Sequence, residues 1–346
     1  LIVEDKRLNN MKVGSFFSGC GGLDLGFKNA GFDLEWANDF DKNACKVYSD
    51  NIGDIILGDI TTLSTDYLSD VDIITGGFPC QPFSTAGNRL GTDDNRGNLF
   101  FETLKFVKKF KPKVVVFENV RGLLSTVNSN GNKMIDDICF ILSNVDGEVG
   151  YNVSWKLLLS SDYEVPQNRY RVIIVGIRKD LNKTFKFPPP VLMSDGSLLT
   201  VGNILKNLDG KSNQEYWELS PQQKTMVPYI TEGGSWKDIP YEILPERFRK
   251  IRDNIKKYHS PNFYRRFGRN EINGTITASA QPENCGILHP LENRRYSIRE
   301  IARIQSFPDN FEFNLPRVDA NYKVIGNAVP PKLAFHLANE IKNQVF

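Results

Sequence analysis

The sequence predicts an α/β protein, a doubly wound and mostly parallel sheet with a second, smaller domain. Three features carry this reading. Short apolar runs alternate with helix-like segments from residue 12 onward, a glycine-rich turn follows the first run, and the alternation stops at Pro188-Pro189-Pro190. Alternating strand and helix signals point to parallel strands covered by helices.

Taken in order, residues 13–17, 34–37, 55–57, 71–75 and 114–117 read as strands, and 154–159 with 171–177 complete the sheet. Segments 23–30, ending at Gly31, and 98–110, ending before Pro112, read as helices. Glycine accepts the left-handed conformation that closes a helix, and proline cannot continue one. From 188 to about 290 the chain is richer in polar residues, turns and isolated aromatics, without sustained periodicity, which marks a separate domain. Regularity resumes at Ser297, and residues 331–346 place Leu333, Leu337 and Ile341 at helical spacing, a face suited to packing back on the first domain. The expected boundaries are therefore 1–187, 188–290 and a return segment over 291–346. No internal repeat or low-complexity tract is present.

A chain of 346 residues exceeds the usual size of one domain. With 40% hydrophobic and 24% charged residues, and no apolar stretch of the roughly 18 residues a membrane span needs, membrane and secretory classes fall away. The first ten residues lack an apolar signal-peptide centre, and Leu1 reads as a trimmed or processed start. The five cysteines, at 20, 45, 80, 139 and 285, show no paired spacing, and His259, His289 and His336 stand far apart, so no metal site is expected. Reduced thiols in a cytoplasm fit this pattern. A net charge of +2 leaves nucleic acid open as a partner, because binding depends on local charge.

The most informative segment is Gly76-Gly77-Phe78-Pro79-Cys80-Gln81-Pro82-Phe83-Ser84. Pro79 and Pro82 fix φ and each lose a backbone donor, so this is a stiff loop that presents one thiol at fixed aim. After the first strand, Phe17-Ser18-Gly19-Cys20-Gly21-Gly22 puts a glycine turn at the carboxyl edge of the sheet, where doubly wound folds bind ligands. The spacing is not that of a dinucleotide fingerprint, and a tight connection alone would explain it equally well. Asp39, ending the second strand, and Asp59, after the third, sit at successive strand ends, as carboxylates suited to a ribose and an exocyclic amine would, although either acid taken singly is more often a helix cap or turn residue. Glu118 closes the fifth strand, where apolar surroundings would favour its protonated form and make it a proton donor. Arg169 and Arg171 alternate ahead of the last strand and so can converge on one face, although by themselves they decide nothing.

In order, Phe17 to Gly22, Pro79-Cys80-Gln81, Glu118-Asn119-Val120, Gln167-x-Arg169-x-Arg171, Arg299-Glu300-x-x-Arg303-x-Gln305-x-Phe307-Pro308 and Gly326-Asn327-x-Val329-Pro330 resemble the DNA (cytosine-5)-methyltransferases. The resemblance spans nearly the whole chain, and the compact length is similar to the bacterial restriction-modification or phage type. It implies the S-adenosylmethionine-dependent methyltransferase fold, with residues 1–187 catalytic and cofactor-binding and 188–290 recognising the target. It implies Cys80 as the nucleophile that adds to C6 of a cytosine, and Glu118 as the group acting at N3. Arg171 would hold the cytosine O2, Arg169 would support the site, and Asn119 would position the Cys80 loop. For the cofactor the resemblance implies Phe17, Ser18, Gly19, Cys20, Gly21, Gly22 and Leu23, then Asn38, Asp39 and Phe40, Asp59 with Ile60, Pro79, Leu99, Asn327 and Ala328. Asp39 is a shorter acid than the Glu many members carry at the ribose position. No metal is implied.

Reaching a cytosine inside a duplex requires base flipping. The implied partner is double-stranded DNA bound by a monomer, with a cognate restriction endonuclease acting separately. Residues 84–98 carry Arg89 and Arg96 and read either as a loop that closes over DNA, with Gln81 and Ser84, or as an ordinary surface loop. In the second domain, Lys256-Lys257-Tyr258-His259 and a cluster holding Tyr264, Arg265, Arg266 and Arg269 interleave cations with aromatics, as phosphate and base contacts require. Thr277 is a further candidate phosphate contact. Rival readings are a DNA-binding homologue without catalysis and the transfer-RNA branch of the superfamily; a nicotinamide-dependent oxidoreductase would share the sheet order but would not need Pro79-Cys80-Gln81.

Overall fold

The structure is a computed structural model that describes residues 11–79, 99–128, 131–145, 150–193, 196–254 and 262–346. The chain divides into two compact units. The first comprises Leu1–Leu158, Tyr170–Pro189 and Ala334–Phe346, the second Leu159–Arg169 and Pro190–Leu333.

The first unit is built on a seven-stranded sheet of β1 (Lys12–Phe16), β2 (Asp33–Asp39), β3 (Ile56–Leu57), β4 (Ile73–Gly76), β5 (Val114–Val120), β6 (Tyr151–Leu159) and β7 (Tyr170–Arg178), in the order β3-β2-β1-β4-β5-β7-β6. The pairs β1–β2, β2–β3, β1–β4 and β4–β5 are parallel, and β7 runs antiparallel to β5. The order reverses beside β1, so the crevice of a doubly wound sheet opens at the carboxyl ends of β1 and β4. Antiparallel β7 starts at that same edge, with Arg171 opposite Val120. β5, at the centre of the sheet, is apolar on both faces: Val114 to Phe117 are all buried.

These helices are α1 (Gly22–Asn29), α2 (Lys42–Asn51), α3 (Leu99–Phe110) and α4 (Met134–Ser143). α2 starts where the Asp41 carboxylate accepts from the amides of Asn43 and Ala44. The core places Phe16 against Trp36 and Phe106, at ring separations of 4.9 and 4.6 Å. Phe78 lies 5.1 Å from Phe100 and 5.6 Å from Phe117, which pins the chain just past β4.

The second unit is irregular. It holds the short helices α5 (Val201–Ile204), α6 (Pro221–Met226), α7 (Glu246–Asp253), α8 (Ile298–Ile304) and α9 (Val318–Asn327), and its bridges are isolated, as at Gln167 with Asn273. A separate core gathers Trp236, Phe248, Phe263, Tyr264 and Leu288. The last helix, α10 (Pro331–Val345), starts in the second unit and continues into the first, where its Ala334 approaches α1 so closely that a Cβ on Gly26 would lie 2.3 Å from that side chain.

The break at Pro189 falls two residues beyond the expected end of the first domain, but 159–169 and 291–333 group with the second unit. The reason is hydrogen bonding. Ile298 and Arg299 donate their amides to Glu215 and Asn213 carbonyls, and Asn168 donates to the carbonyl of Asn273. Among the described residues no helix is long and apolar enough to cross a membrane.

Candidate active site

The glycine turn leaves β1 through left-handed conformations at Phe17 (φ 53°), Gly19 (φ 57°) and Gly21 (φ 90°). A Cβ on Gly21 would lie 2.0 Å from Ile52, whereas a Cβ on Gly19 would meet nothing within 4 Å, so the turn packs tightly on one side and opens to space on the other. The buried Asp39 carboxylate holds it: Oδ2 accepts from the Gly19 amide and Oδ1 from the Asp41 amide, both at 2.8 Å. Burial raises the proton affinity of Asp39. The next residue, Phe40, is 69% exposed at the strand end. Asp59 is exposed and caps a 3₁₀ turn through the Thr61 amide, which lowers its proton affinity.

Across the switch point, the carbonyl of Phe78 accepts from the buried Asn119 amide at 2.9 Å. The strand end before Pro79 is thus tied to β5. Glu118 and Arg171 form an ion pair, their side chains each 12% exposed. A Cβ on Gly77 would lie 3.3 Å from the Glu118 carboxylate, so glycine gives that carboxylate room. Glu118 therefore has a charged neighbour, not the apolar surroundings expected for it. Burial pushes the described thiols up, Cys20 to about 12 and Cys45, Cys139 and Cys285 to about 11. None of these is poised as a nucleophile.

A profile of the C-5 cytosine-specific DNA methylases matches residues 11–343. The chain belongs to that family. It is similar to the type II methyltransferase M.NgoFVII of Neisseria gonorrhoeae, 40% identical over 342 residues that cover 96% of this chain and 87% of the relative. It is also similar to the type II methyltransferase M.Eco47II of Escherichia coli, 36% identical over 362 residues covering 98% and 80%. In fold it is similar to the S. pombe Dnmt2 methyltransferase, with a TM-score of 0.64 at 19% identity, covering 97% of this chain and 100% of that one. The protein is a DNA (cytosine-5) methyltransferase with the fold its sequence predicted.

Several residues expected at this methylase's site carry other loads. Cys80, Gln81, Ser84, Arg89 and Arg96 lie outside the described residues, as does 256–259. The Asn38 amide donates to the carbonyls of Ile56 and Gly58, holding β3 to β2, so it is not free to face a ligand. Ile60 is only 3% exposed and packs in the core, and Leu23 and Cys20 are buried as well. Ser18 is buried and bonds Ser15. Leu99 begins α3, half-buried. In the second unit Asn327 is exposed at the end of α9 and Ala328 is buried.

The expected pairing of Arg169 with Arg171 is corrected by their partners. Arg169 is 1% exposed and donates to the carbonyls of Ile276 and Gly326, both at 2.8 Å. Tyr264 and Arg266 are likewise corrected, because burial removes them from a DNA-facing surface. The Tyr264 hydroxyl donates to Glu283, and the Arg266 guanidinium donates to the carbonyls of His289, Glu292 and Val227. Arg265 pairs with Glu271, and Arg269 stays at the surface with Glu232. Thr277 is half-buried, its hydroxyl facing Ser279 and Asn284. A Cβ on Gly326 would lie 2.5 Å from the Thr277 backbone, which gives the glycine of Gly326-Asn327 its reason.

Sequence reasoning missed Asp24 and the amide pair of Gln167 with Gln305 at 2.8 Å. Asp24 is fully buried at the first turn of α1 and accepts from the Ser15 hydroxyl at 2.7 Å. An acid between Leu23 and Leu25 was the available signal.

Proposed function

We propose that this methylase transfers a methyl group from S-adenosylmethionine to C5 of a cytosine flipped out of duplex DNA within a short sequence, through a covalent bond between Cys80 and C6. The observation that carries this reading is the Glu118–Arg171 ion pair beside the Phe78-Pro79 strand end that Asn119 anchors. It brings a carboxyl group and a fork of donors together next to the strand end that leads into Pro79.

The glycine turn fits the cofactor, because Gly19 opens to space, Asp39 lies beneath it and Phe40 offers an exposed ring. Bound there, S-adenosylmethionine supplies an electrophilic methyl group on a sulfonium. Phe17, Asp39 and Phe40 would hold it from the first unit, and the Asp59 carboxylate would meet the adenine amine.

The residues of this chain then divide the work. The Cys80 thiolate adds to C6 while Glu118 supplies a proton or hydrogen bond at N3, which makes C5 nucleophilic enough to be methylated. Arg171 holds the cytosine O2 and the Glu118 carboxylate in one plane. After methylation the C5 proton passes to solvent water as the C6–sulfur bond breaks and the Cys80 thiolate is freed. Arg169 acts at a distance, as a brace of the second unit. Arg265, Arg269 and Thr277 are the remaining described candidates for DNA contact. The names of the type II relatives favour a restriction-modification role. In that role a cognate endonuclease would act separately, and this methylase would work on DNA as a cytoplasmic monomer.

Incubation with methyl-labelled S-adenosylmethionine, unmethylated genomic DNA and, in parallel, transfer RNA tests the reading. The expected result is 5-methylcytosine in DNA at one short motif. Label in transfer RNA alone would overturn the DNA substrate, and label in neither would favour a silent DNA-binding protein. Cys80→Ser is expected to abolish transfer while sparing DNA binding, since an alcohol is a far poorer nucleophile at neutral pH than a thiol.

A further inference from the structure

Beneath the glycine turn lies a carboxylate that the proposed reaction leaves without a task. Asp24 is 0% exposed. Its Oδ1 accepts from Ser15, whose hydroxyl oxygen in turn accepts from Ser18 at 2.9 Å, and the carbonyl of Ser18 accepts the Gly21 amide. Its Oδ2 is buried and has no charged partner among the described residues. The Tyr48 phenol faces the same carboxyl from α2, and its ring would meet a Cβ on Gly21 at 2.9 Å. Asp24 is therefore joined to both flanks of the turn. The other ionisable groups facing it are Asp39 at the end of β2 and the Cys20 thiol within the turn. No described cation balances it there.

A buried, unbalanced anion acts through its field on whatever occupies the open side of the turn, and low polarisability between them keeps that field strong. The reactive cofactor and its product differ there in one respect: the first carries a sulfonium cation, the second an uncharged thioether. Resting on the cofactor reading above, we infer that Asp24 is the buried counter-charge of the turn, and that its ionisation makes the site prefer the sulfonium cofactor over the thioether product. The preference is electrostatic and requires no direct contact.

The sign follows from linkage. Burial holds the Asp24 carboxyl up at about 6, with Ser15, Tyr48 and Ser18 pulling it back down. Above that pH the group is charged and favours the cation; below it the group is neutral and the preference fades. A bound cation favours the charged form, so cofactor binding at mildly acid pH releases a proton, whereas product binding releases less.

Calorimetric titration of the full chain with S-adenosylmethionine and with S-adenosylhomocysteine, between about pH 5 and 8, tests this. Between pH 5 and pH 7 both ligands keep an ionised carboxyl and a largely protonated amino group, so the ratio of their affinities reports the site. We expect that ratio to fall by about tenfold from pH 7 to pH 5. In Asp24→Asn the ratio is expected to be lower at pH 7, with its pH dependence reduced to the share of Asp39. Ser15→Ala, which removes a hydrogen bond to the carboxylate, is expected to move the midpoint to higher pH. A flat ratio in the wild type, or an unchanged profile in Asp24→Asn, overturns the inference even if that variant's stability has dropped. If neither ligand binds the wild type, the cofactor reading itself fails and takes this inference with it.

Discussion

Arg171 and Arg169 are separated by a single residue, yet Arg171 stands in the first unit and meets the Glu118 carboxylate, whereas Arg169 stands in the second and donates to two backbone carbonyls. The contrast extends to the units around them. In the first, strand ladders satisfy the backbone, and side chains at strand ends are left to face a ligand. In the second, loops of irregular backbone leave carbonyls without ladder partners, and buried arginines satisfy them. Arg266, Arg295 and Arg299 repeat the pattern, donating to the carbonyls of Val227, Trp217 and Phe311 among others, and none is more than 2% exposed. A guanidinium has five donors in a fixed fork, which suits several carbonyls at once. One residue type thus meets a carboxylate where the backbone is already paired, and backbone carbonyls where it is not.

Substitutions at three positions would break or sharpen this contrast. Glu118→Gln is expected to slow turnover by about 10³-fold, or ~4 kcal/mol of barrier, since it removes the proton donor. Cofactor affinity and melting temperature should hardly move; a loss of stability matching the loss of activity would make Glu118 a structural residue and erase the distinction. Arg169→Ala is expected to cost about 3 kcal/mol of stability by leaving two carbonyls without a charged donor. Denaturant melts would register it, and Arg169→Lys should recover little, because an ammonium cannot span both acceptors. Full activity and stability in Arg169→Ala would remove the brace. Asp309→Asn should have the smallest effect. Hydrogen bonds from Arg303, then from Lys211, hold the Asp309 carboxyl down at about 2. A depressed value stabilises the fold above the unfolded range near 4, and that contribution fades as pH falls toward 2. The carboxylate is partly solvated, so about 0.5 kcal/mol is expected, present at pH 7 and absent near pH 2.

The centre of the sheet was legible because β1, β4, β5 and β7 are short runs of mostly buried residues, and Asp39 and Glu118 stand out as carboxylates where such runs end. α2 and α4 were not found, although Asp41 ahead of Ala44, Val47 and Tyr48 is a helix start in retrospect. The second unit was the harder half. Arginines and tyrosines in a row, as at Tyr264-Arg265-Arg266, read as a charged face, and nothing local reveals that the carbonyls of Val227, His289 and Glu292 require a donor. Those acceptors come from distant parts of the chain, so only the fold reveals them. Asp24 was hidden for the opposite reason, since its neighbours are apolar and its partner Ser15 lies on a different element.

The fork of Arg169 grips the carbonyls of Ile276 and Gly326, and a carbonyl is a group that all twenty amino acids carry. Such an anchor is blind to the side chain above it. Among the described residues of the second unit, outward-facing side chains are therefore free to diverge without loosening the clamp, provided the backbone path is kept. Two sequences could thus share this frame while presenting quite different surfaces.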